Sequence, residues 1–137
     1  MASTTAGTTL SARQRGASLA VRPTHFEFYS ADPEATVEFL TTVFGWRAQR
    51  WEDQEYWLLE TGDDGPGING AVARAGDEGP RTLNTCDVED LDAAIEAVQI
   101  GGGRLLTDIM ELPGVGRWVQ VEGPGGEEFG LMEPAPH

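Results

Sequence analysis

The stretch His25-Phe26-Glu27-Phe28-Tyr29 alternates polar and aromatic side chains, the period of a strand with one face packed on a core. Phe26 and Phe28 are expected to pack beneath a helix, leaving His25, Glu27 and Tyr29 on the opposite face. Residues two apart on one face lie about 7 Å apart along a strand, close enough for an imidazole and a carboxylate to act on one ligand. In a partly apolar hollow burial raises a carboxyl pKa, so Glu27 is expected to act as a general base there. His25 would be its partner or a hydrogen-bond donor. The competing reading is that this face is solvated, or that His25 and Glu27 satisfy each other and neighbouring strands.

Aromatic side chains are the second resource. Trp51, Tyr56, Trp57 and Trp118 fall in the middle strands, and any that face inward can stack a flat or apolar ligand. Trp46 follows a helix-closing glycine and is expected in the core. Cys86 alternates with Asn84 and Val88 toward the helix side, which predicts a buried, inert thiol. Gly101-Gly102-Gly103 closes a helix instead of opening one, so it is no phosphate cradle. Gly114-Val115-Gly116 lacks the context of a nucleotide-binding loop, and no Gly-x-Ser-x-Gly elbow occurs.

These residues are positioned by an internal repeat. The segment from His25 to Asp32 lies without gaps over the segment from Leu83 to Asp90, and Ala35–Leu40 then falls on Ala93–Val98. Each copy reads as a short strand (22–29; 82–88), an acidic turn and a helix, followed by three strands. Asp32 before Pro33 is a helix N-cap with proline at the first position. Val37, Leu40, Thr41 and Phe44 in one helix, and Leu91, Ala94, Ile95 and Val98 in the other, are spaced to face a core. Gly45 and Gly101-Gly102-Gly103 end the two helices. Strands are expected at 47–52, 55–61 and 68–74, then at 104–108, 117–122 and 127–133. The fold class is α+β, built from two tandem βαβββ modules, 21–75 and 80–134, in one domain.

Composition narrows the function. The chain has 137 residues with a formal net charge of −14, and all nine basic residues are arginine. A protein this acidic is not expected to bind nucleic acid, which requires clustered cations. No apolar run approaches the roughly 20 residues of a membrane span. With one cysteine there is neither an internal disulfide nor a zinc knuckle, and a reducing cytoplasm is the expected location. Dense carboxylates without lysine suggest adaptation to high salt, with codon bias as the competing explanation. Residues 1–20, Ser/Thr/Ala/Gly-rich and free of acids, read as a disordered tail or an early start, with a targeting peptide as the alternative.

Taken in order, His25-Phe-Glu-Phe, Asp32-Pro-Glu, Val43-Phe-Gly-Trp46, Tyr56-Trp57, Pro66-Gly-Ile-Asn-Gly70, Asn84-Thr-Cys-Asp-Val88, Pro113-Gly-Val-Gly116 and Phe129-Gly-Leu-Met-Glu133 resemble the vicinal oxygen chelate superfamily. That superfamily comprises glyoxalase I, bleomycin-resistance proteins and extradiol dioxygenases, and the chain is most similar to its lactoylglutathione-lyase-related subgroup. The resemblance implies a curved, cup-like mixed sheet and a homodimer. It also implies a divalent metal (Zn, Ni, Mn or Fe) held by a residue from the first and last strand of each module. The equivalent positions here are His25, Asn69, Leu83 and Gly130, of which only His25 is a strong donor. Such metals want three or four His, Glu, Asp or Cys ligands at about 2.0–2.3 Å, so no metal or other cofactor is expected.

The expected function is therefore metal-free binding of a small apolar or aromatic molecule, lined by Tyr29, Trp57, Asn69, Thr85, Trp118 and Met132. The alternative is an enzyme: lyase- or isomerase-type acid–base chemistry on Glu27 and His25, or a metal-dependent glyoxalase-like lyase. A structural or regulatory dimer is the third reading.

Overall fold

A computed structural model describes residues 21–136. The stretch 1–20, read above as a tail, and His137 lie outside the described residues. Eleven elements are present, two helices and nine strands among the described residues, an α+β chain of mostly sheet. By their contacts they group into two compact units, Pro23–Thr85 and, together with Val21 and Arg22, the chain from Cys86 onward.

The first unit begins with β1 (Pro23–Ser30) and α1 (Pro33–Phe44), followed by β2 (Arg47–Arg50), β3 (Tyr56–Glu60), β4 (Asn69–Arg74) and the start of β5 (Arg81–Asp87). The strand order is β2-β3-β4-β1-β5. β1 and β4 are parallel while β2, β3 and β4 are antiparallel, so the sheet is mixed. Asp32 starts α1, its side chain accepting the Ala35 N–H at 3.3 Å, and Gly45 ends it in the left-handed region at φ 74°. Leu40 from α1 is buried with Leu59 and Val72, and Phe26, Phe28, Val37, Trp46 and Ala48 pack around them. Gly70 is the β4 partner of Phe26. A Cβ there would stand 2.5 Å from the Phe26 ring, so only glycine lets ring and strand meet. Phe44, expected to face the core, is instead 56% exposed. Its ring leans on Trp46 at 5.2 Å, because the helix ends one residue later and Leu40 already fills the inner position.

The second unit carries α2 (Leu91–Ile100), β6 (Arg104–Leu105), β7 (Met110–Leu112), β8 (Gly116–Glu122) and β9 (Glu128–Pro134). Asp90 caps α2 through the Ala93 N–H at 3.1 Å. Leu91 and Ala94 bury against Val88, Val119, Val121 and Leu131, with Cys86, Ile95 and Val98 packed alongside. Cys86 is only partly buried; burial and the charge of Asp87 hold its thiol pKa above the ordinary value. The strand expected at 104–108 shrinks to two residues. Thr107 replaces the ladder there, its hydroxyl accepting the Gln120 N–H at 3.1 Å. β7, which the sequence reading lacked, pairs with β8 through a turn at Gly114, φ 77°. Arg117 gathers Asp92, Glu133 and Glu111 at 3.2–3.6 Å, and Glu133 also accepts the Leu91 N–H at 2.8 Å. No described helix is long and apolar enough to cross a membrane.

Candidate functional site

Pairing registers settle which side chains share a face. Phe26 and Phe28 pair with Gly70 and Val72 and join the cluster under α1. His25, Glu27 and Tyr29 therefore occupy the other face, as the alternation predicts. Ala71 and Ala73 of β4 lie beside Glu27 and Tyr29, and Leu58 and Tyr56 of β3 lie beyond them. Alanine in the intervening strand leaves room for long side chains to lean toward each other across it.

Two phenols converge on one carboxylate. The Tyr29 hydroxyl donates to Glu27 Oε1 at 2.6 Å, and the Tyr56 hydroxyl donates to Glu27 Oε2 at 2.7 Å. These are the chain's two tyrosines. His25 Nε2 stands 3.6 Å from Glu27 Oε2, with side chains 30% and 13% exposed respectively. The Arg81 guanidinium lies over the Tyr29 ring, 4.5 Å from its centroid.

These contacts reverse the expected electrostatics of Glu27. Burial alone pushes its carboxyl upward, but His25, Tyr29 and Tyr56 together outweigh burial and hold it below the ordinary value. The raised pKa that the sequence suggests for Glu27 is thus corrected in direction: these donors favour its ionised form. Burial pushes the Tyr56 phenol in the opposite direction, well above the ordinary value, and the neighbouring Glu27 charge adds to that. Tyr56 is thus a committed proton donor. An ionised carboxylate has about four lone-pair positions; the phenols take two, so Glu27 can still accept a hydrogen bond from a ligand.

The other expected residues are distributed unevenly. Asn69 pairs with His25, but its Oδ1 accepts the Thr61 N–H at 2.9 Å and the Thr61 hydroxyl at 3.3 Å. Thr85 is 4% exposed, and its hydroxyl has no hydrogen-bond partner among the described residues. Trp57 corrects the expectation that it lines the ligand face. It pairs with Val72, is 8% exposed, and carries Arg50 over its ring at 5.0 Å, which puts it on the α1 side. Trp118 and Met132 are partners across β8 and β9, on the face turned away from the α2 cluster, with Gln120 and Gly130 beside them. Sequence alone does not reveal the parts of Tyr56 and Arg81: by its sequence Tyr56 is only a stacking aromatic, and the β3 register that aims it at Glu27 has no sequence signal.

The donors at the four family positions do not suit a divalent cation. Leu83 offers hydrocarbon and is wholly buried, Gly130 has no side chain, and the Asn69 carbonyl oxygen is engaged by Thr61. Among the described residues no group of three His, Cys, Asp or Glu could hold a metal ion.

Comparisons with known proteins agree with this architecture. The sequence model of the Glyoxalase/Bleomycin resistance protein/Dioxygenase superfamily matches residues 22–131. The chain belongs to that superfamily. Among solved structures, methylmalonyl-CoA epimerase from Mycobacterium tuberculosis is similar, with a TM-score of 0.62 and 22% identity over 83% of this chain and 88% of that one. A variant of the Streptomyces coelicolor methylmalonyl-CoA epimerase in complex with 2-nitronate-propionyl-CoA gives a TM-score of 0.61 and 20% identity, covering 84% and 98%. A variant of homoprotocatechuate 2,3-dioxygenase from B. fuscum gives 0.64 and 19% identity over 85% of this chain and 33% of that one. At these identities the likeness establishes the fold. A search of curated proteins returns no match.

Proposed function

We propose that this superfamily member binds a small, partly apolar molecule on the face bearing His25, Glu27, Tyr29 and Tyr56, without a divalent metal. The observation that carries the reading is the Glu27 carboxylate, held ionised by both tyrosines of the chain. A base must have affinity for a proton, and these donors lower it; a recognition group must hold a fixed charge and position, and they supply both. Glu27 then accepts a hydrogen bond from the ligand while Leu58 and Ala73 supply apolar contact.

A second reading, acid–base catalysis of the lyase or isomerase type, draws on His25. Its imidazole is partly exposed and adjoins the carboxylate, where a proton could pass between ligand and solvent. A thermal-shift and native mass-spectrometry screen separates the two, using aromatic metabolites and thiol–aldehyde adducts with and without Zn, Ni, Mn or Fe. The binding reading expects stabilisation that is independent of metal and weaker in Glu27→Gln. Stabilisation that requires a metal, or a Glu27→Gln protein that keeps affinity but loses turnover, would overturn it. The resemblance also carries the homodimer, and a single species of monomer mass in sedimentation analysis would remove that expectation.

A further inference from the structure

A cleft lined in part by Tyr29 opens at the C-terminal end of β1, about 430 Å³ in volume and formed wholly within the first unit. That volume lies within the range of small-molecule sites, about 300–1,000 Å³. The lining combines two opposite charges with an apolar wall. Arg81 contributes the cation, Asp32 the anion, and Phe28, Ala31 and Pro80 the hydrocarbon. Ser30 and Thr36 add a hydroxyl pair, 2.7 Å apart, and Ser30 also accepts the Asp32 N–H at 2.9 Å.

Each charge is fixed by the fold. Arg81 is held over Tyr29, and Glu78 approaches its Nη1 at 3.4 Å from an exposed position. Asp32 is held as the N-cap of α1 through Ala35. A simple anion drawn to Arg81 would meet the Asp32 carboxylate and a chain of net charge −14; a simple cation drawn to Asp32 would meet Arg81. A molecule that carries both charges, with a short apolar body between or beside them, complements the two charges and the hydrocarbon wall together, adding to the partners that each group already has. We propose that this cleft, which shares Tyr29 with the face bearing Glu27, is a binding site for a small zwitterion of the amino-acid class. The proposal does not depend on the function proposed for Glu27.

The test is calorimetric titration of the full-length protein with zwitterions of increasing charge spacing: glycine, β-alanine, γ-aminobutyrate, δ-aminovalerate and ε-aminocaproate. The alkylamine and the alkanoate of each chain length serve as singly charged counterparts. One spacing is expected to saturate the cleft, with both counterparts weaker by at least about tenfold. Arg81→Gln and Asp32→Asn should each reduce the preferred zwitterion to the level of a counterpart; asparagine is also a good N-cap, so α1 should be retained. Failure of every member to bind, equal binding by the counterparts, or wild-type affinity in both variants would overturn the proposal. Should either variant fail to fold, the wild-type comparison of zwitterion against counterparts decides alone.

Discussion

The two copies of the repeat share a frame and differ in what they place on it. In the first, β1 carries His25, Glu27 and Tyr29; at the matching positions of the second, β5 carries Leu83, Thr85 and Asp87. Both helices begin with an aspartate whose side chain accepts an N–H three residues on, and both bury an apolar stripe. Yet Glu27 receives two phenols and adjoins an imidazole, whereas Thr85, more deeply withdrawn from water, has a hydroxyl without a hydrogen-bond partner among the described residues. Capping and hydrophobic spacing, which make the frame, tolerate wide change on the far face of the strand. At the matched positions the second copy retains one ionisable group, Asp87, where the first carries a cluster.

The sharpest way to break that comparison is at Gly70, where the first copy brings an aromatic ring against bare backbone. Gly70→Ala forces the Phe26 ring or β4 to move, and a loss of about 2–3 kcal/mol in urea-unfolding stability is expected. An unchanged midpoint would mean that the ring has another place to go. Next is the pair Glu27→Ala and Thr85→Val. The first leaves two phenols without their acceptor and should cost about 2 kcal/mol. The second removes a buried hydroxyl that lacks a partner and should be neutral or stabilising by up to about 1 kcal/mol. Equal losses at both sites would show that Thr85 has a partner of its own.

Acid titration gives a related contrast. The Glu27 pKa is depressed in the folded state, so at acid pH the unfolded chain binds this proton first. The stability from its ionised form is therefore complete above the ordinary carboxylate pKa and is lost as pH falls through the lower, folded-state value. In Glu27→Gln that part of the decline should vanish, as read from thermal melts between neutral and acid pH. The second copy supplies the smaller effects. Asp90→Ala should cost about 1 kcal/mol by uncapping α2. Arg117→Ala should lower stability slightly at low salt and less in molar salt, because its partners Asp92 and Glu111 are exposed.

Much of this was legible in the sequence. The alternation of Phe26 and Phe28 with His25, Glu27 and Tyr29 fixed the faces of β1, and Asp32-Pro33 and Gly45 marked the ends of α1. What escaped depended on register, which single-strand periodicity does not contain. Tyr56 and Trp57 are adjacent and alike in character; pairing with Ala73 and Val72 alone decides that the tyrosine reaches Glu27 while the tryptophan joins the core. The sign of the Glu27 shift escaped for the same reason, since it depends on how many donors converge from a strand 29 residues away. Thr107 hid the end of β6, because a side chain that substitutes for a backbone carbonyl leaves the hydrophobic pattern unchanged.

With both of its tyrosines spent on one carboxylate, the molecule carries a built-in optical reporter. Every tyrosine ultraviolet band originates within hydrogen-bonding reach of Glu27, with no surface phenol to dilute the signal. A ligand arriving there would register as a difference spectrum without any label, and an alkaline titration would find the Tyr56 phenol slow to yield its proton until the chain itself gives way.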